Sequence, residues 1–252
     1  QSQMGEISFR IALLPYLTQT LPAKVRHGHM VGITPQLMRE GMQADYHQIA
    51  RLTHRVTDIV SKARTIRFTS TYGSDVMVNL SSQMHWVPCP GLYHQPGEWG
   101  NLPEGETYTC PANVNGKVVV HVLGDFFSAQ YGVLKTPVTF HLQNGWTTQI
   151  ECDDAVLRQE LWDYLDGAEN GRRAGEFAIG TNTALKTLCG NLLQDEKMPG
   201  IHIAFGNPYP EHTGADWAST VHVDVIPVEC TIDVDGNRLM SRGQFEPWVT
   251  EK

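Results

Sequence analysis

Two histidines and three carboxylates stand where strands should be apolar. In Ser219–Pro227, STVHVDVIP, His222 and Asp224 are two residues apart. A strand repeats every two residues, so both side chains point to one face, with Val221, Val223 and Val225 on the other. Glu106 opens a strand-like run in LPEGETYTC, Glu176 precedes the apolar triplet of GEFAIG, and His202 lies between isoleucines in GIHIAF. Charged groups are costly to bury unless they are paired or bound to metal. For any one of these residues, a hydrogen-bonded core histidine or a strand end in solvent is explanation enough. For all five together, a shared metal is the better explanation. Two His and three carboxylates suit a pair of divalent ions such as Zn²⁺, Mn²⁺ or Co²⁺. Two such ions about 3.5–4 Å apart share a carboxylate and a bridging water.

The elements that must position these residues follow from pattern. Thr34-Pro35 is a helix cap followed by Pro at the first helical position. One or two helices are expected from there to about Ala63, with Ile49, Leu52, Val56, Ile59 and Val60 at helical spacing. Thr65–Thr69, Ser74–Leu80, Lys117–Leu123, Pro137–Leu142 and Trp146–Glu151 are short, alternating and β-branched. Asn144-Gly145 and Asp235-Gly236 are hairpin turns, and Asp153-Asp154 caps a helix reaching about Asp166. Strands are expected at Glu176–Gly180, Ile201–Phe205 and Thr220–Ile226, and a helix at Thr183–Leu193. The fold class is α+β, with a helical segment, residues 1–64, before a sheet-rich domain, residues 65–252. The first segment reads as the end or remnant of an N-terminal domain, whose apolar stripe packs on the sheets or on a partner chain.

Composition limits the partners. The net charge of −8 and the lack of any basic run longer than Arg172-Arg173 exclude nucleic acid and anionic membranes as expected partners. No apolar run approaches the roughly 20 residues that span a bilayer. Gln1–Glu6 is polar and has no basic signal-peptide start. Five scattered cysteines, odd in number and without a CxxC pair, fit free thiols in a reducing compartment, so a cytoplasmic location is expected. The chain opens on Gln1 rather than Met, and a processed or truncated product is the expectation.

The segments NLPEGETYTCP, GEFAIGTNT, DEKMPGIHIAFGNPYP and STVHVDVIP, in this order, resemble the M29 metallo-aminopeptidases. That resemblance implies metal ligands at Glu106, Glu176, His202, His222 and Asp224, and an active-site Tyr at Tyr209. It implies a two-metal-activated water attacking a peptide or small amide, with Tyr209 as oxyanion donor. It leaves two departures. Only the last helices of the family's larger N-terminal domain are matched, which implies a homodimer or a missing domain. The loop GLYHQPGEWG, Gly91–Gly100, is instead similar to the pyridinediol ring-cleaving dioxygenases of the same fold. Those use one Fe(II) held by two His and one Asp, and lack the equivalents of Glu106 and His202.

The main expectation is therefore a dinuclear aminopeptidase or related amide hydrolase. The alternative is a mononuclear Fe(II) ring-cleaving dioxygenase with His202, His222 and Asp224 as its ligand triad. A third is a non-catalytic metal-binding module that keeps the fold. Among the remaining residues, His212 in EHTG is a substrate contact, Glu104 is assigned to a turn, and Lys197 to solvent.

Overall fold

The computed structural model describes residues 13–30, 32–124 and 126–251. Gln1–Glu6, read above for a signal peptide, lies outside them. Up to residue 64 the chain forms a π-helical turn (Tyr16–Thr20), strand β1 (His27–His29), helix α1 (Pro35–Arg39), a 3-10 turn (Gly41–Gln43) and helix α2 (Tyr46–Val60). Then follow β2 (Thr65–Ser70), β3 (Asp75–Asn79), β4 (Val87–Cys89), β5 (Trp99–Asn101), β6 (Glu106–Thr109), β7 (Asn113–Val120) and β8 (Val122–Leu123). The middle holds α3 (Phe126–Tyr131), β9 (Val138–Gln143), β10 (Trp146–Glu151) and α4 (Ala155–Asp166). The last third holds β11 (Ala174–Gly180), α5 (Leu192–Asp195), β12 (Gly200–Gly206), α6 (Pro210–Thr213) and β13 (His222–Ile226). It closes with β14 (Cys230–Val234), β15 (Asn237–Ser241), β16 (Gln244–Phe245) and α7 (Pro247–Thr250).

Two antiparallel sheets carry the fold. One has eight strands in the order β10-β9-β7-β3-β2-β14-β15-β16, the other six in the order β4-β6-β11-β12-β13-β8. β1 pairs in parallel with β5. Facing side chains of the two sheets make the core: the Phe68 ring lies 6.3 Å from Phe177, and Phe140 lies 5.1 Å from Phe205. Each such fully buried side chain contributes about 1.5–3 kcal/mol of transfer free energy. Val56 and Val60 of α2 and Leu157, Leu161 and Leu165 of α4 join the same core. The α2 stripe thus packs on the sheet domain, across the boundary drawn at residue 64.

Local signals explain most element ends. Thr34 accepts the Leu37 N–H, Asp45 those of His47 and Gln48, and Asp154 those of Val156 and Leu157, each satisfying orphan donors of a first turn. Asn144-Gly145 and Asp235-Gly236 all take positive φ, as tight hairpins require. One expected helix is largely missing. Thr183–Leu193 is turns and loop up to the four-residue α5. There the side chain of Asn182 accepts the Ala184 N–H and donates to the Glu104 carbonyl, so local side-chain bonds replace helical ones.

Candidate metal centre

The site lies on the face of the six-stranded sheet opposite its core. Along β11, Phe177 and Ile179 enter the core while Glu176, Ala178 and Gly180 point the other way. Along β12, Ile201, Ile203 and Phe205 are core, and His202, Ala204 and Gly206 share the site face. Register then sets the neighbours. Ala178 lies between Tyr108 and His202, Ala204 between Glu176 and Asp224, Gly180 between Glu106 and Gly200, and Gly206 opposite His222. Small residues alternate with ligand-type ones, which leaves room for the large polar groups to converge.

Two glycines set the local backbone. β11 has a register shift between Ala174 and Glu176, with Gly175 as the extra residue. A Cβ on Gly175 would lie 2.0 Å from the Gly206 carbonyl oxygen. Gly206 itself has φ +100, a conformation L side chains avoid.

Four side chains form a closed ring. His202 Nε2 lies 3.3 Å from Glu176 Oε1 and 4.0 Å from Asp224 Oδ1. His222 Nε2 lies 3.6 Å from Glu176 Oε2 and 3.6 Å from Asp224 Oδ1. Glu106 borders the ring, its Oε2 3.4 Å from His202 Nε2. The structure therefore brings all five expected residues together. His202, Glu106, Glu176 and Asp224 are buried and His222 is partly so.

The donor set fits a divalent metal. Among the described residues, Glu106, Glu176 and His202, and likewise Glu196, His202 and Asp224, offer ligand atoms within 4.8 Å of one another, and His222 Nε2 lies beside them at 3.6 Å from Glu176 and Asp224. His222 donates its Nδ1–H to the Asn207 carbonyl at 2.9 Å, because a carbonyl can only accept. That bond aims the Nε2 lone pair into the ring, the arrangement typical of metal-bound histidine. Glu106 Oε2 is buried and accepts no hydrogen bond.

Without a metal the imidazoles must take protons. Burial opposes charge on His202, but its hydrogen bond to Glu176 and the charges of Glu106, Glu176 and Asp224 outweigh it and raise its pKa to about 9. Burial likewise opposes charge on His222, and Tyr209, Asp224 and Glu176 push its pKa well above the usual value. Asp224 moves down: burial raises it, but His222 and His202 prevail.

Beside the ring sits a second cluster. Lys197 is 1 % exposed, and its Nζ lies 2.5 Å from Glu106 Oε1, 2.7 Å from Glu196 Oε1 and 3.1 Å from Glu104 Oε1. Lys197 is thus not solvated, and Glu104 belongs to the site rather than to a turn alone. Glu104 also accepts from Tyr93 and the Asn101 N–H. Burial pushes the Glu104 pKa up to about 7 and that of Glu196 to about 8, against the pull of Lys197 in both. Sequence reasoning passed over Glu196. Its signal was the charged run Asp195-Glu196-Lys197 just before the apolar strand β12.

An aromatic wall closes the His222 side. The Tyr209 ring is 4.8 Å from the His222 ring, 6.0 Å from Tyr108 and 6.3 Å from His212. His212 Nδ1 is 2.8 Å from the Tyr108 hydroxyl. Tyr209 has φ 51, rare for a side-chain-bearing residue, and that turn carries its ring beside the site.

A sheet-rich α+β fold thus brings together His and carboxylate side chains of the types that ligate divalent metals. Residues 29–175, more than half of the chain, match the family NicX: 2,5-dihydroxypyridine 5,6-dioxygenase, and the chain belongs to that family. The match ends one residue before Glu176, so the ring of ligands is read from geometry alone. The fold is similar to that of 2,5-dihydroxypyridine dioxygenase from Pseudomonas putida KT2440, with TM-score 0.70 and 18% identity over 92% of this chain and 68% of that one. It is also similar to AmpT from Thermus thermophilus, an M29 aminopeptidase, with TM-score 0.66 and 22% identity over 83% of this chain. The chain spans 57% of the length of AmpT. At such identities the likeness shows the fold alone. A search of the curated proteins found no match.

The family corrects the main expectation. The chain is placed with dioxygenases, not with hydrolases, aminopeptidases or proteases, and the dinuclear hydrolytic centre falls with that class. The reason for the error is physical. Clustered His and carboxylates point to metal binding, and such ligand types serve both chemistries. Among the described residues no helix is long and apolar enough to cross a membrane.

Proposed function

We propose that the chain is a ring-cleaving dioxygenase acting on a dihydroxylated pyridine, with one Fe(II) held among His202, His222, Asp224 and Glu176. The observation that carries this reading is the ring itself, in which two imidazole nitrogens alternate with two carboxylates at 3.3–4.0 Å, in a chain of the NicX family. Two His and one carboxylate are the usual ligands of non-haem Fe(II) oxygenases. Here His202, His222 and Asp224 supply them, and Glu176 adds a carboxylate whose Oε1 faces His202 and whose Oε2 faces His222. Fe(II) held by these residues would bring dioxygen and the ring together and relay electrons from the ring to dioxygen, with no net change in the metal.

The chain's own residues do the rest. The Asn207 carbonyl fixes the tautomer and tilt of His222. Tyr209 and Tyr108 present flat faces beside His222 and suit a planar heteroaromatic ring. His212, hydrogen-bonded to Tyr108, contacts the rim of that ring from the solvent side. The apolar sheet beneath the ligands keeps water from the buried side of the site. In the overall reaction one ring carbon–carbon bond breaks and both atoms of O₂ enter the product.

The test is spectroscopic. The protein is loaded with Fe(II) under anaerobic conditions and mixed with 2,5-dihydroxypyridine. Loss of the ring's ultraviolet absorbance on admitting air, and not before, is the expected result. Absorbance unchanged in air would count against this reading.

A further inference from the structure

We propose that Asn207 is a positioning residue that sets the aromatic wall against the metal ligands: its carbonyl orients His222 while its side chain holds the turn that carries Tyr209. The inference rests on the reading of Tyr209 as a stacking face given above, and it names the residue that fixes where that face stands.

Asn207 engages three polar atoms at the point where the chain leaves β12. Its N–H donates to the carbonyl of Val221, the residue before His222, at 2.7 Å. Its carbonyl accepts the Nδ1–H of His222 at 2.9 Å. Its side-chain Oδ1 accepts the Tyr209 N–H at 3.0 Å. An asparagine oxygen bonded to the N–H two residues on is an Asx turn, in which a side chain stands in for a backbone turn. One residue thus grips the lead into β13, an imidazole of the ligand ring and the backbone of the aromatic residue.

The turn needs holding because Tyr209 does not adopt it by default. Its φ of 51 and ψ of 64 lie in the left-handed region, where a Cβ crowds the following carbonyl. It also precedes Pro210, and a residue before proline favours extended backbone. The far end of Tyr209 is held by α6, since its carbonyl accepts the His212 and Thr213 N–H groups, each at 2.9 Å. The near end is held by Asn207. An extended Tyr209 would aim its side chain elsewhere, so the 4.8 Å between its ring and that of His222 depends on the turn. The two tasks of Asn207 are separable. A substitution there removes the side-chain bond and leaves the carbonyl, so it disturbs Tyr209 without loosening His222.

Fluorine NMR tests this without substrate or oxygen, so it can fail or hold independently of the ring-cleavage reading. The full chain is labelled with 3-fluorotyrosine, and the Tyr209 resonance is assigned by its loss in Tyr209→Phe. Asn207→Ala should shift or broaden that resonance. Asn207→Asp, whose carboxylate closes the same turn, should leave it at the wild-type position. Mn²⁺ affinity, from equilibrium dialysis, should stay within about threefold of wild type in both variants, because the carbonyl that orients His222 is retained. Anaerobic binding of 2,5-dihydroxypyridine to the metal-loaded protein should weaken about tenfold in Asn207→Ala, the worth of one aromatic contact, and recover in Asn207→Asp. A Tyr209 resonance unmoved in Asn207→Ala, or moved as far in Asn207→Asp, would overturn the proposal. So would a loss of metal affinity as large as the loss of ring affinity. If no form of the protein binds the dihydroxypyridine, the ring-cleavage reading suffers and the fluorine result decides this one. If Asn207→Ala does not fold, Asn207→Gln decides. Its amide lies one methylene too far out to close the turn and should displace Tyr209 in the same way, and an unmoved resonance there would overturn the proposal.

Discussion

His222 Nδ1 lies 2.9 Å from the Asn207 carbonyl oxygen, and its other nitrogen faces both Glu176 and Asp224 at 3.6 Å. One backbone acceptor thus turns an imidazole into a directed ligand. His222→Asn removes the inward nitrogen at an edge of the site that is partly open to solvent. The fold should survive, with a melting temperature close to wild type. Metal affinity should fall by about 100-fold or more, since even supporting contacts around metal ligands are worth 10–100-fold. Competitive chelator titration measures it, and an unchanged affinity would remove His222 from the ligand set.

Ala178 has Tyr108 on one side in register and His202 on the other. It is fully buried, and its smallness is what lets those two large side chains approach the site. Ala178→Leu should lower stability by about 1–3 kcal/mol through overpacking. Denaturant unfolding checks the stability. Metal binding should weaken with it, because His202 must move. Full stability and unaltered metal affinity together would show that the small residue has no spacing role.

The Tyr209 ring packs 4.8 Å from that of His222, outside the ring of ligands. Tyr209→Phe keeps the flat surface and loses a hydroxyl. Metal content should stay the same, while kcat/KM for a dihydroxypyridine falls roughly tenfold, the worth of about one hydrogen bond. Tyr209→Ala should lose more, because the stacking face goes too. Equal kinetics for all three proteins would place the substrate elsewhere.

Stability in acid has an identifiable contributor away from the site. Asp235, in the β14–β15 turn, accepts the Thr65 N–H at 2.9 Å and the Arg64 N–H at 3.1 Å. The Thr65 backbone bond is the largest cause that depresses its pKa, with Arg64 adding to it. A depressed carboxylate stabilises the fold above its unfolded pKa of about 3.9, and the gain is lost as pH falls through the folded value. Asp235→Asn tolerates the same positive φ but has no charge. The melting-temperature gap between wild type and variant should be constant above about pH 4 and close below it. A gap independent of pH down to the acid limit would assign the effect to shape instead.

Much of this site was legible in the sequence. A period-two strand with His and Asp on one face, and single charged residues inside apolar runs, located all five converging side chains. Helix caps at Thr34 and Asp154 and the turns at Asn144-Gly145 and Asp235-Gly236 were legible because each is a local contact. The errors were long-range. Lys197 reads as a surface lysine until Glu104 and Glu106, from a distant segment, and its neighbour Glu196 are seen around it. Glu196 is signalled only by the charged run before β12, and Tyr108 carries no local signal, since their roles come from register and loop packing. Thr183–Leu193 has helical spacing, but the side chain of Asn182 ties its start to the Glu104 segment. The reaction class was least legible, because the same ligand types serve hydrolysis and oxygenation on one fold.

The central claim is incorporation of dioxygen into a pyridine ring, and isotope labelling tests it most directly. Fe(II)-loaded protein is incubated with 2,5-dihydroxypyridine under ¹⁸O₂, and the ring-opened product is weighed by mass spectrometry. The account predicts two labelled oxygen atoms per product molecule, with one O₂ consumed per ring. Product without label, or an intact ring after prolonged incubation with the loaded protein, would contradict it.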